Sequence, residues 1–547
     1  MQQISTDSGK NAAFVLRFNS LITCLVSLLI NLIILMDYCN SPFTKFLLWD
    51  AANYWEWALD ISTGNWLGDK AFHQAPFYPY LLSLFISVFG GEVFPIYLFQ
   101  GILSAITSAL ICSITNNLTG NRVSGLIAGL IYSFYGLQVF YATKILSECI
   151  AAFFSVFTVW LLLSYRRKRT IIAAGISFGI LLLIKPHFLI SVPFVILFYF
   201  LKLKSQGNRI LFERCFCFVF PVILIVSLVS IRNYYVEKDF ILVSGNGGEN
   251  FYIGNHEKAK GTYVQIEGVS ADIAYQDKDI RDLAIKITGK DMKRSEISKF
   301  WFNNGLKFIK NNKLKFLRLQ WSKLKNLFSG ADLTNMYVLS FEKKNLTRLF
   351  SIAFVNIYLL VPLFFAGIII VIEEWKNYYL ILLFLFVNIA NIIIFFYDTR
   401  FMVIAMPFFI LISAVGIVNV FRMFKGNANK SMLFKPVFAA LIAGICLLPI
   451  MIIRDNKFET HDWRMWMTLG EIKYGFGNYN EALRYFIRSS EMKKTECMPV
   501  FGVSKTLYKM GQNDLAMQIF KSTFQKVEPD EKKTIMRDKD YDVLRTD

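Results

Sequence analysis

Asp50 stands directly after a wholly apolar run and before a cluster of aromatics, in the stretch LLWDAANYWEWALDISTGNWLGDKAFHQAPFYPYLL (47–82). A carboxylate in such a place can offset a helix dipole. It can also take a proton from an attacking hydroxyl. Three more charged residues border long apolar runs: Glu148 in KILSECIAAFF, Lys185 in LLLIKPHFL and Arg400 in FFYDTRFMV. Singly, each reads as helix-start chemistry or as a side chain snorkelling to water. Gathered on one side of a membrane, they would be an acid or base, a second carboxylate and two anion-binding cations.

Whether they gather depends on the apolar runs between them. The chain of 547 residues is 55% hydrophobic and 18% charged, with 53 Phe and 25 Tyr. Uncharged runs of ~20 residues, enough to cross a bilayer, recur near 13–36, 93–115, 122–142, 147–165, 170–184, 188–203, 213–231, 350–372, 377–396, 400–421 and 433–452. The reading is an all-α polytopic membrane protein with about eleven transmembrane helices. FYPYLLSLFISVFG (77–90) is apolar but short and proline-led, so it is expected along the interface. Basic residues support that choice. With the N-terminus inside, Arg122, the RRKR run at 166–169, Lys202, Lys204, Arg209, Arg214 and Arg422 fall on inner flanks, against Lys45, Lys70, Lys144, Lys185 and Arg400 on short outer ones. Counting 77–90 as a span would put RRKR outside and break the positive-inside rule.

This topology puts Asp50, Glu148, Lys185 and Arg400 on the outer face, with three sizeable outer pieces: the loops 37–92 and 232–349 and everything after 453. The first span lacks a small-residue cleavage site and is expected as a retained anchor. In KFIKNNKLKFLRLQWSKLKNLF, Leu314, Leu317, Trp321, Leu324 and Phe328 recur at helical spacing among lysines and Arg318, predicting an amphipathic helix in the headgroup layer. The net charge of +19 is carried largely by this helix and the inner loops, so nucleic acid is not an expected partner. The cysteines show no paired spacing, and the four histidines (73, 187, 256, 461) are scattered. Neither a disulfide framework nor a built-in transition-metal site is expected.

After Arg454 the chain turns polar and periodic. Gly477, Ala482 and Phe486 recur as Gly511, Ala516 and Phe520, and WMTLG (466–470) opens the pattern. The shared spacing is the 34-residue period of tetratricopeptide units, where the small residue admits a neighbouring helix and the Phe fills the seam. The domains are therefore 1–453 for the membrane part, 454–530 for the outer repeat domain and 531–547 for a charged tail. The repeats serve equally well as a structural cap or as a platform for an acceptor or protein partner.

The outer-face groups suit the movement of a sugar from a lipid phosphate to a hydroxyl. The first-loop stretch, with LSE ending at Glu148, IRNYYVEKDFILVSGNGGENFYIGN (231–255) and TRFMVIAMPFFIL (399–411), resembles glycosyltransferases of the GT-C fold, family 39 type: the protein mannosyltransferase and aminoarabinose transferase relatives, and among them a subgroup with C-terminal tetratricopeptide repeats. The resemblance implies a GT-C-like bundle, a polyprenyl-phosphate sugar donor and inverting transfer at the extracytoplasmic face of a membrane, here a bacterial cytoplasmic membrane. It implies Asp50 as base, Glu148 as a second catalytic carboxylate, Arg400 and more weakly Lys185 on the donor phosphate, and Tyr54, His73 and Gln74 as substrate-loop residues. Many relatives have Asp-Glu at the loop start, whereas Asp50 is followed by Ala51. Any role of that Glu is missing or passes to Glu56 or Glu148. Fixed cations can hold a departing phosphate monoester, so no cofactor is required and a divalent metal is not called for.

Three rival classes make different demands on the chain. A transporter should show broken helices at mid-membrane. A polysaccharide polymerase or ligase should carry basic catalytic groups in its large outer loop. A non-catalytic assembly scaffold would tolerate loss of Asp50. Sugar and acceptor (protein, lipid or polysaccharide) are not written in the sequence. The topology is tested by single cysteines at Ser62 and Arg167 in a cysteine-free background. An impermeant thiol reagent on intact cells should label position 62 and spare 167, and the reverse pattern would overturn the orientation.

Overall fold

The computed structural model describes residues 2–164, 167–270, 273–334, 336–424 and 462–527, with isolated positions up to 545. The described chain is helical. Strand-like pairing among these residues is confined to the bridges Tyr135–Val355 and Thr262–Tyr397. Among the described residues, six helices are long and apolar enough to cross a membrane, and four shorter apolar helices accompany them. The expected span at 433–452 lies outside the described residues.

Burial separates the centre from the rim. The segment Thr399–Asn419 is 89% buried by the rest of the protein, against 28% for Asn208–Glu237, whose Phe216, Phe220, Leu224 and Leu228 are exposed. The helix Met402–Phe424 is thus central, and Asn208–Glu237 turns its apolar side to lipid. The centre is close-packed through small residues. Gly367 of Ile357–Glu373 lies against Met402–Phe424 so tightly that a Cβ would come 2.0 Å from the Ile412 carbonyl oxygen, and the Phe364 and Phe409 rings stack at 3.9 Å.

Two expected spans differ in detail. The run at 122–142 is two helices, Arg122–Ser133 and Gly136–Ala142. The break comes where Gly136 donates to the Val355 carbonyl at 3.1 Å, an approach a side chain would obstruct, since a Cβ there would meet the Ala353 carbonyl at 2.8 Å. The run at 188–203 begins with a 3-10 turn, Pro186–Ser191, because Pro186 cannot continue the helix Lys168–Ile184. The proline-led segment forms the helix Phe77–Phe89, about 20 Å long at the α-helical rise, packed against Asp50–Ser62.

The long loop expected at 232–349 folds into Gly247–Gly254, Ile273–Thr288, Arg294–Asn311, Lys313–Ser329 and Leu339–Asn345. Leu314, Leu317 and Trp321 are exposed along one edge of the amphipathic helix, and Lys323 and Leu327 are buried on the other. Two charged clusters dock this loop on the first. In one, fully buried Lys144 pairs with Glu342 at 2.6 Å, inside a cage of Tyr38, Phe43, Phe140 and Tyr337 rings, and the Tyr337 hydroxyl accepts the Leu48 N–H at 3.3 Å. In the other, His73 Nε2 meets Glu249 at 3.0 Å and Nδ1 meets Asp277 at 3.3 Å, while Arg294 grips both Asp277 oxygens at 2.6 and 2.8 Å. Burial alone would lower the His73 pKa, but the Glu249 and Asp277 carboxylates outweigh it and raise the value above the usual 6.5. Burial would likewise raise Asp277, yet the Arg294 bonds and His73 bring it down to about 2.

Past the membrane part, Asp462–Gly475 with Tyr479–Met492 and Met498–Lys509 with Asn513–Phe524 form two helical hairpins at the same 34-residue period. Gly477 and Gly511 take positive φ at equivalent turns, Ala482 and Ala516 are both 0% exposed, and Phe486 and Phe520 fill the seams. Tyr541 and Leu544 pack into the second hairpin, so the part of the tail described here contributes to its core. The first hairpin also touches the 232–349 segment, with Trp466 edge-on to Phe341 at 5.1 Å.

Overfilling the Ala482 contact by Ala482→Trp should cost about 1–3 kcal/mol. Protease resistance after residue 454 should fall while the membrane part stays folded, and an unchanged digest would contradict this packing. The His73 cluster carries a pH dependence of definite sign. A folded pKa raised above the unfolded one stabilises fully below about pH 6.5 and is lost as pH rises through the folded value. The Asp277 contribution, in contrast, is lost only as pH falls toward about 2. Proteolytic resistance of residues 232–349 should therefore decline above neutrality, and His73→Gln should flatten that profile. An unaltered profile in the variant would assign the dependence to other groups.

Candidate active site

The site is built on a strained turn. Trp49 has φ 46, rare for a residue with a side chain, and the next residue, Asp50, opens the helix Asp50–Ser62. The turn directs the carboxylate toward the protein, where Asp50 is 8% exposed.

Arg400 meets it from the far end of the membrane domain. Its guanidinium Nη1 is paired with Asp50 Oδ2. The segment Tyr397–Arg400 is pinned before it reaches the central helix: Tyr397 N–H donates to Gly261 O at 2.9 Å, and Thr399 N–H to Leu333 O at 3.2 Å. Asp398, 1% exposed, accepts the Arg400 backbone N–H at 3.1 Å and lies 3.7 Å from its Nε. One carboxylate thus fixes the arginine's backbone and side chain together. Met336 Sδ caps the same Nη1 at 3.3 Å.

Glu148 and Lys185 form the second pair. Glu148 opens Glu148–Leu163, Lys185 ends Lys168–Ile184 just before Pro186, and the two meet at 2.8 Å. Lys185 therefore has its charge held by a carboxylate. The other Glu148 oxygen, Oε2, is buried without a hydrogen-bond partner among the described residues. Arg400 feels the fields of Asp50, Asp398 and Glu148, so the two pairs belong to one electrostatic cluster. Tyr54, one turn after Asp50, links them. Its ring lies edge-on to Tyr78 at 5.4 Å, and burial together with the Asp50 and Glu148 carboxylates raises its hydroxyl pKa well above the usual range.

Of the seven residues singled out from sequence, Asp50, Tyr54, Glu148, Lys185 and Arg400 come together here. His73 instead joins the Glu249–Asp277–Arg294 cluster, and Gln74 accepts the Asn53 amide at 2.9 Å. The two regions are still adjacent, since Tyr263 is influenced by both Asp50 and Glu249. Ala51 is wholly buried, with no room for a second acid, and exposed Glu56 faces a different cleft, whereas Glu148 stands in the cluster. Asp398, Glu249, Asp277 and Arg294 were not singled out. Asp398 had a readable signal, an acid two residues before a boundary arginine. The other three sit in a polar loop where charges are common.

Comparison with known proteins adds the following. No curated protein matches the chain. Among solved structures, the apo oligosaccharyltransferase of Archaeoglobus fulgidus is 14% identical, with TM-score 0.37, over 82% of this chain and 58% of that one. The oligosaccharyltransferase AglB of Archaeoglobus fulgidus, in complex with an inhibitory peptide and a dolichol-phosphate, is 16% identical, with TM-score 0.38, over 85% of this chain and 59% of that one. The chain thus spans less than two thirds of either. Residues 73–232, which carry His73, Gln74, Glu148 and Lys185 but neither Asp50 nor Arg400, match the family model of the dolichyl-phosphate-mannose-protein mannosyltransferases.

Proposed function

We propose that the protein is an integral membrane glycosyltransferase that moves a sugar from a polyprenyl-phosphate carrier to an acceptor hydroxyl at the outer face, with inversion. The observation that carries this reading is the Asp50–Arg400 pair, a carboxylate and a guanidinium held together where the helices Asp50–Ser62 and Met402–Phe424 begin. The family match over 73–232 supports the same class.

The reaction follows from what each group can hold. A donor phosphate reaching the cluster competes with Asp50 for Arg400, and bidentate binding of phosphate by a guanidinium is favourable. The carboxylate is then released toward the acceptor. As the acceptor oxygen attacks the anomeric carbon, Asp50 takes its proton, the bond from the anomeric carbon to the phosphate oxygen breaks, and Arg400 neutralises the departing phosphate. Attack opposite the leaving group inverts the anomeric centre. Glu148, with one oxygen held by Lys185 and the other unpartnered, is placed to accept a hydroxyl of acceptor or sugar. The outer hairpins, tetratricopeptide-like in period, stand beside the first loop as a platform for what arrives there.

Asp50→Asn keeps size and hydrogen bonding but cannot take a proton. Transfer onto endogenous acceptor, measured as glycan product at matched protein levels, should fall about 100-fold or more. Arg400→Ala should weaken use of the donor. Near-normal transfer by Asp50→Asn would remove the general-base assignment and favour a scaffold.

A further inference from the structure

Lys323, in the helix Lys313–Ser329, is 0% exposed, and no carboxylate among the described residues pairs with it. Burying an amine costs free energy that a methionine of similar length would avoid. The nitrogen spends its hydrogens on two acceptors. It donates to the Ile393 carbonyl at 3.0 Å and to Asn255 Oδ1 at 3.3 Å. Burial lowers its pKa to about 7, and charged or neutral it keeps hydrogens enough for both bonds.

Both acceptors belong to one arrangement. Ile393 and Ile394 close the helix Trp375–Ile394, where the last carbonyls have no partner within the helix. Lys323 takes the first, and Asn255, also 0% exposed, donates its amide to the second at 2.8 Å. The same amide donates to the Phe251 carbonyl at 2.8 Å, while its oxygen accepts Gln320 at 3.5 Å as well as Lys323. Gly254 lies so close to the next residue that a Cβ would come 1.7 Å from the Phe395 carbonyl oxygen. Two positions on, Tyr397 is held by Gly261, and Arg400 follows. Residues 251–261 and Lys323 thus clamp the stretch that delivers the arginine.

We infer that Lys323 is a positioning residue for the donor phosphate: with Asn255 it fixes the helix end from which Arg400 is presented, and it acts on the phosphate through Arg400 alone. The inference rests on the reading of Arg400 as the phosphate's partner. Lys323 does not hold the phosphate itself, because it is enclosed and its bonds go to a carbonyl and an amide. A bidentate guanidinium contact depends on orientation as well as charge. A helix end free to shift would therefore cost donor affinity while the charge of Arg400 stays.

The test is a double-mutant cycle on the full chain in nanodiscs, with sugar-free polyprenyl phosphate as the probe. Lys323→Met keeps length and packing but loses both bonds. It should lower the affinity about fivefold where Arg400 is present and leave it unchanged in the Arg400→Ala chain, because a residue acting through another then has nothing to act on. Asn255→Ala, which frees the Ile394 carbonyl, should repeat the pattern, and protease resistance of residues 232–349 identifies any variant that has not folded. An equal loss in both arginine backgrounds would make Lys323 a general structural lock, and no loss in the Arg400 chain would deny it any part in donor binding. Either result overturns the inference. If Arg400→Ala lowers affinity and Lys323→Met does not, the phosphate reading stands without Lys323. If Arg400→Ala binds as tightly as the unaltered chain, the phosphate reading itself fails, and the inference with it.

Discussion

The structure turns on one buried ion pair, Asp50 with Arg400. Burying Asp50 and Arg400 removes two charges from water, and attraction between them offsets that cost only when geometry and further bonds are good. The chain supplies those bonds from several directions. Asp398 fixes the arginine's backbone and side chain, the bridge from Thr262 to Tyr397 and the Thr399 bond to Leu333 hold the segment, and the Trp49 turn presents the carboxylate. An isolated buried pair is weak evidence for stability, because apolar residues of similar size would serve as well. A pair kept with Glu148 and Lys185 in one cluster is better explained by a charged ligand that exchanges with it.

The two long loops, 37–92 and 232–349, are the apparatus that makes this placement possible. The caged Lys144–Glu342 pair ties the end of the first span and the turn at Leu48 to the second loop. The His73 cluster ties the start of Phe77–Phe89 to the helices of that loop. In both, the charges are spent on one another and hold backbone in place. The close contact of Gly367 and Gly416 performs the same task within the membrane, setting the central helix that begins just after Arg400.

Much of this was legible because lipid makes charges rare. A carboxylate or cation at the edge of an apolar run stands out, so Asp50, Glu148, Lys185 and Arg400 could be named without coordinates. Their pairing could not be read, since Asp50 and Arg400 are 350 residues apart and Lys144 and Glu342 are 198 apart. His73 was assigned by its loop to the substrate, but its ring bonds go to a second cluster whose members lie in polar sequence. The helical hairpins were visible through Gly477, Ala482 and Phe486 and their partners, because a tight turn and a close helix contact each admit few residue types. Which face they turn toward the first loop depends on Trp466 against Phe341, a contact no period encodes. The break at Tyr135 was hidden for the same reason, arising from a backbone neighbour at Val355 and not from a local proline.

The central claim is that Arg400 exchanges Asp50 for a lipid-borne phosphate. Its most direct test is the affinity of the purified chain for sugar-free polyprenyl phosphate, compared among the unaltered protein, Asp50→Asn and Arg400→Ala. Removing the competing carboxylate should leave binding as tight or tighter, and removing the guanidinium should weaken it about tenfold or more, the loss of a charge-assisted bidentate contact. Equal affinity in all three would contradict the account.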